Sequence, residues 1–188
     1  MKTNHLKLRV LPCLALLVAQ VGFMSAYAAD PNDNPGQLSS SDYKFARAFA
    51  QGGMFEVNLG NVAAANSKNT AVQQFGQQMV KDHGAAGQKL QAIATQKGAT
   101  LPTQLTTHQQ KEVDRLSKLS GPDFDKAYMS CMVKAHKVDE KAFKKGSEDI
   151  QDADLKAFAA DTLGIVQSHL KMAEDLDTSI KKELSLNK

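Results

Sequence analysis

A chain of 188 residues, 42% hydrophobic and 23% charged, carries enough apolar material for one domain with a sizeable core. Its formal charge of +3 does not mark a binder of nucleic acid or of an anionic membrane, because the first 28 residues hold Lys2, Lys7 and Arg9 and no acid, and without them 20 basic residues face 20 acidic ones. With no Trp, 5 Pro and few β-branched runs, the rest of the chain has little strand signal.

The N-terminal stretch reads as a secretory signal. A basic start precedes an apolar run from Val10 to Met24, and Ser25-Ala26-Tyr27-Ala28 ends in the small-x-small pattern that signal peptidase cuts, here after Ala28. The run is too short for a spanning helix, and Pro12 before Cys13 argues against a lipoprotein. The expected location is therefore the periplasm, with no integral membrane span after cleavage and with peripheral outer-membrane association left open. Loss of Cys13 would leave Cys131 as the one cysteine, unable to form an intramolecular disulfide and read as a small buried hydrophobe.

Residues 29–40, rich in Pro, Asn, Asp and Gly, read as a flexible leader, and residues 41–184 as the folded domain. Ser39, Ser40, Ser41 and Asp42 supply caps for a first helix to about Ala65, with Phe45, Phe49, Leu59 and Ala63 in its apolar stripe and Glu56 in the middle of it. After a turn at Asn66–Asn69, a second helix runs from Thr70 to Lys97, with Phe75, Met79 and Leu90 inward and Gly98 as its C-cap. A short crossover helix, Thr106 to Leu119, has Val113, Leu116 and Leu119 as its apolar face. A third long helix follows Pro122, from Asp123 to Ser147. The fourth runs from Asp154 to Leu184, with Phe158, Ile165, Val166 and Leu170 assigned inward. The pattern predicts an all-α fold: a ferritin-like up-down four-helix bundle with a short crossover helix between the second and third long helices. No sustained heptad supports a coiled coil.

Each long helix carries an ionisable residue in its apolar stripe: Glu56, His83, His136 and His169. Met79-Val80-Lys81-Asp82-His83 is echoed as Met132-Val133-Lys134-Ala135-His136, and Asp82 and Glu140 stand next to these histidines, Glu140 one turn after His136. Burying such groups is costly unless they are paired, hydrogen-bonded or metal-bound. Two readings follow. One is a buried polar network that fixes helix register. The other is a transition-metal site for Fe, Mn, Zn, Cu or Ni, with His83, His136, His169, Glu56, Asp82 and Glu140 as candidate ligands. With a rise of about 1.5 Å per residue, His136 and His169 fall about one turn apart in height. Glu56 falls roughly 7 to 8 Å from the level of His83, nearer to Met79, so the three histidines make the better set.

Other chemistries find no footing. The residues three before the histidines are Val80, Val133 and Val166, so the Glu-x-x-His of di-iron bundles is missing. There is no Gly-rich phosphate loop and no supported Ser-His-Asp arrangement. Cys131 and His136 diverge around their helix, His108 reads as a solvated crossover residue, and Met54, Met129 and Met172 read as packing.

The string Phe75 to His83, the segment Gly121-x-x-Phe124-Asp125-x-x-Tyr128, the later Met132-Val133-x-x-His136, and Leu163 to Leu170 ending in His169-Leu170 resemble domain-of-unknown-function family 4142, over about Asp42 to Leu176 and in family order. The resemblance implies an exported bacterial protein with a ferritin-like helical fold, often labelled an outer-membrane protein. It maps the family's recurring inward residues onto Glu56, Asp82, His83, His136 and His169. Gly164 stands where the family often has Pro. The resemblance implies no activity. The resulting expectation is a non-enzymatic exported bundle, serving in envelope stress or as an interaction module, with a metal-binding or metal-dependent redox protein as the alternative.

Overall fold

The computed structural model describes residues 34–186; the signal segment, its cleavage site, residues 29–33 and Cys13, on which the expected thiol state of Cys131 turns, lie outside these. The described residues form five helices: α1 Ser40–Asn66, α2 Thr70–Gln96, α3 Thr107–Leu116, α4 Gly121–Asp149 and α5 Ala153–Leu186. The all-α class, the four long helices and the short crossover between the second and third are as expected. Among the described residues no helix is long and apolar enough to cross a membrane.

Local chemistry sets the helix ends. Ser39 Oγ accepts from the Asp42 amide at the start of α1, and Asn69 Oδ1 accepts from the amides of Ala71 and Val72 at the start of α2. Thr106 and Gln109 form a reciprocal capping box on α3, and Pro122 occupies the first turn of α4, where its missing N–H costs nothing. Gly98, at φ +64, ends α2.

The crossover decides the direction of the second hairpin. Gln109 Nε2 donates to Gln51 O, and Asn66 Nδ2 donates to Ser117 O and Leu119 O, so the crossover runs beside α1 and delivers the chain to the far end of that helix. α4 then runs back antiparallel to α1, placing Phe143 on Phe45 and Phe49. The helices run up, down, down, up, with α1 packed on α2 and α4, and α5 on α4 and α2. At the near end Asp42 accepts from the amides of Gln151 and Asp152, tying the α4–α5 turn to α1, and Lys97 Nζ lies 2.8 Å from both Asp152 and Asp154.

Residues 34–38 depart from the expected flexible leader. Thr100 N donates to Asn34 O at 2.8 Å, Gln37 N donates to Lys97 O at 2.8 Å, and Leu38 is buried. Gly36 makes this possible: at φ +56 it lies so close that a Cβ would fall 2.2 Å from Lys97 O.

The core comes in two apolar clusters. One holds Phe49, Leu90, Phe143, Leu155 and Phe158; the other holds Leu59, Phe75, Met79, Tyr128 and Met132. Between them, on every long helix, the buried positions are polar: Glu56, His83, His136 with Asp139, and His169. A polar layer therefore crosses the middle of the bundle. Cys131 is fully buried within the second cluster.

Candidate metal centre

Each histidine of this layer lies on the buried stripe of its helix, flanked by Met79 and Ala86 on α2, Met132 and Phe143 on α4, and Val166 and Ala173 on α5. The three rings form a nearly equilateral triangle, with centres 5.6 Å apart for His83–His136, 5.3 Å for His83–His169 and 5.5 Å for His136–His169. One ring nitrogen from each lies within 4.8 Å of the others. Three imidazoles on a single ion, with metal–nitrogen distances of about 2.0–2.1 Å, put their ring centres roughly 5.2–5.5 Å apart. The ring centres already stand close to that spacing.

The outward nitrogens are engaged. His136 Nδ1 lies 2.9 Å from the Met132 carbonyl, a bond in which the ring must donate, and 3.4 Å from Glu56 Oε1. His169 Nε2 lies 2.8 Å from Asp82 Oδ2 across the α2–α5 seam, and Gln78 Nε2 donates to the same oxygen at 2.6 Å. His83 Nδ1 is 2.9 Å from Glu56 Oε2, near enough for an ion pair though not aligned as a hydrogen bond. His83 Nε2, His136 Nε2 and His169 Nδ1 are buried and have no hydrogen-bond partner among the described residues. A proton on each outward nitrogen leaves a lone pair on each of these, and carboxylates standing behind imidazoles are the usual way of fixing that tautomer.

Glu56 thus belongs to the layer, contrary to the height count. Side chains lean toward the N-terminus of their helix. Glu56 on α1 leans away from the α1–α2 turn and His83 on α2 leans toward it, which closes the offset. Glu56 and Asp82 contact the outward nitrogens rather than the inner ones. Glu140 lies outside the layer altogether: it is half-buried and accepts from Gln167 Nε2 at 3.1 Å. The inward acid on that turn is Asp139, which sequence reasoning missed. Positions three and four after His136 both fall near its face, but only Asp139 continues the column Phe124, Tyr128, Met132, His136 to Phe143. Of Ile165 and Val166, both read as inward, only Val166 is buried; Ile165 is 42% exposed.

Burial sets the protonation. It holds His136 down at about 4, against the pull of Glu56, and holds His83 and His169 below their ordinary value, with Asp82 opposing it at His169. Burial raises Glu56, opposed by His136 and Asp139, and lifts Asp139 well above the carboxylate range, helped by the charge of Glu56. Asp139 lies beside Glu56, and burial disfavours the charged form of both. Partial burial pulls Asp82 up, but the hydrogen bonds from Gln78 and His169 outweigh that and keep it low. Tyr128, read as an apolar stripe residue, has a buried hydroxyl with no hydrogen-bond partner among the described residues, and burial together with Glu56 raises its phenol.

A family model described as "Domain of unknown function (DUF4142)" matches residues 28–176. The crystal structure of a DUF305 fragment from Deinococcus radiodurans is similar in fold, with TM-score 0.67 at 11% identity, covering 76% of this chain and 98% of that one. At that identity the likeness speaks to the fold alone. No curated protein matches the sequence.

Proposed function

The chain belongs to the DUF4142 family, whose description names no activity, and from that premise we propose that it is an exported helical bundle that holds one transition-metal ion on His83, His136 and His169. The observation that carries this reading is a buried group of three histidines from three helices, each offering one ring nitrogen within 4.8 Å of the others, with His83 Nε2, His136 Nε2 and His169 Nδ1 buried and without a hydrogen-bond partner among the described residues. A polar layer built only for register would bond those nitrogens, because each buried unsatisfied group costs about 1–3 kcal/mol. Neutral imidazoles need lose no proton to bind a metal. The donor set is nitrogen alone, since Glu56 and Asp82 stand behind the rings. That favours Zn or Cu, and to a lesser degree Ni, over Fe and Mn, which take more carboxylate.

A metal held this way would leave a coordination position for water or another small ligand. The layer is closed above and below by apolar clusters, which suits holding an ion better than turning over a bulky substrate. No observation on the described surface favours the stress or interaction-module reading. Export rests on the signal-like segment through Ala28, and cell fractionation with N-terminal sequencing of the mature protein tests it.

The direct test of the site is elemental analysis of protein purified from the periplasm, wild type beside His136→Ala. The expected result is stoichiometric metal in the wild type and its loss in the variant. A wild type that is metal-free as isolated and shows no thermal shift with Zn, Cu, Ni, Fe or Mn overturns the proposal.

A further inference from the structure

We propose that Asp82 is the loading residue of this centre: a carboxylate at the α2–α5 seam that takes a divalent transition-metal ion from solvent and passes it to His169. The inference rests on the three-histidine reading above and adds a route to it.

A hydrated ion cannot cross an apolar wall without a partner for its charge. Along the bundle axis both approaches are closed, by the Phe49–Phe143–Phe158 cluster on one side and the Phe75–Met79–Met132 cluster on the other. The way in is therefore lateral. On the α1–α2 face the acid Glu56 is only 2% exposed at the side chain, and nearer the α1–α2 turn the helices meet so closely that a Cβ on Gly60 would fall 2.5 Å from Gly76 O. On the α4–α5 seam Glu140 bonds Gln167 and does not reach the histidines.

The α2–α5 seam is different. The Asp82 side chain is 21% exposed, against 2% for His169. Among the described residues it is the acid that meets both solvent and a ring of the layer. Its Oδ2 is engaged by His169 Nε2 and by Gln78. Those bonds hold the carboxylate in place at the seam, where an arriving cation meets it, and orient His169 with Nδ1 inward. Asp82 is thus a positioning residue as well as the point of capture.

Loading can be followed with Co2+ as the sole added metal, by the absorbance of the cobalt–imidazole site in metal-free protein. The comparison is wild type, Asp82→Asn, Asp82→Glu and Glu140→Gln, each shown to be folded by circular dichroism. Asp82→Asn keeps the shape and removes the charge; it should load about tenfold more slowly or worse, the scale of electrostatic steering, yet reach the wild-type stoichiometry. Wild-type loading should slow with added salt. Asp82→Glu should restore the rate, and Glu140→Gln should match wild type. A purely structural Asp82 would change the melting temperature and leave the rate alone, so wild-type loading in Asp82→Asn overturns the inference, as does equal slowing by Glu140→Gln. Failure of the wild type itself to take up Co2+ or any other metal overturns the three-histidine reading, which the Asp82 variants alone do not touch.

Discussion

Three imidazoles at the centre of an apolar bundle stay neutral because burial penalises their charged form more than Glu56 and Asp82 reward it. This has a pH consequence with a definite sign. As pH falls below about 6.5 the unfolded chain takes up protons on these histidines; the folded chain resists, down to about 4 at His136. The unfolded state is then the more protonated, so the metal-free fold should lose stability as pH drops from about 6.5 towards 4, each group adding a slope of up to about 1.4 kcal/mol per pH unit. Glu56 and Asp139, both raised, act the other way, their contribution declining as pH rises above the usual carboxylate range; the three imidazoles outnumber them. Denaturant unfolding of chelator-treated protein at pH 7, 6 and 5 checks this, with His136→Gln expected to flatten the trend. At this scale the sequence was informative about residue type and poor about direction. His83, His136 and His169 stand out as ionisable residues in apolar stripes. Which nitrogen of each faces inward depends on Met132 O, Glu56 and Asp82, and no spacing rule encodes that.

The helices themselves follow from period, caps and breakers, and their ends fall within a few residues of the expected ones. The errors are of one kind. Consecutive helical residues differ by about 100° in direction, so a residue at the edge of a stripe can face in or out, and packing decides. Asp139 in place of Glu140, and Ile165 exposed beside the buried Val166, are both such cases. Glycines illustrate the same point. Gly60 and Gly76 sit where α1 and α2 touch, and Gly60→Ala should cost about 1–3 kcal/mol because the added methyl meets backbone. Gly164, exposed on α5 with open space around it, should behave oppositely: Gly164→Ala should stabilise by about 0.5–1 kcal/mol through helix propensity. Thermal or denaturant melts of the pair decide both. Asp42 reads locally as a first-turn acid of α1, yet its carboxylate accepts two amides of the α4–α5 turn. Asp42→Ala should therefore cost about 1–2 kcal/mol in the same melts, as the loss of a helix cap does.

For the molecule as a whole, the polar layer divides the apolar core in two, and a bound ion would join the halves by linking three helices. At a free Zn2+ concentration 100-fold above its dissociation constant, linkage predicts about 2.7 kcal/mol of added stability, a rise in melting temperature of roughly 5–10 °C. His169→Ala should abolish the rise, and calorimetry with and without Zn2+ checks it. The sequence by itself determined the all-α class, the number and order of helices, the family and the three histidines, because period, capping residues and inward polar residues are local properties of the chain. Only the tertiary structure decided that α4 runs antiparallel to α1, that residues 34–38 are pinned to the end of α2, and that Glu56 and Asp82 stand behind the rings while Asp139 joins the layer. Those outcomes depend on where the crossover delivers the chain, on side-chain lean and on contact between helices far apart in sequence, and each becomes definite only once two helices are packed face to face.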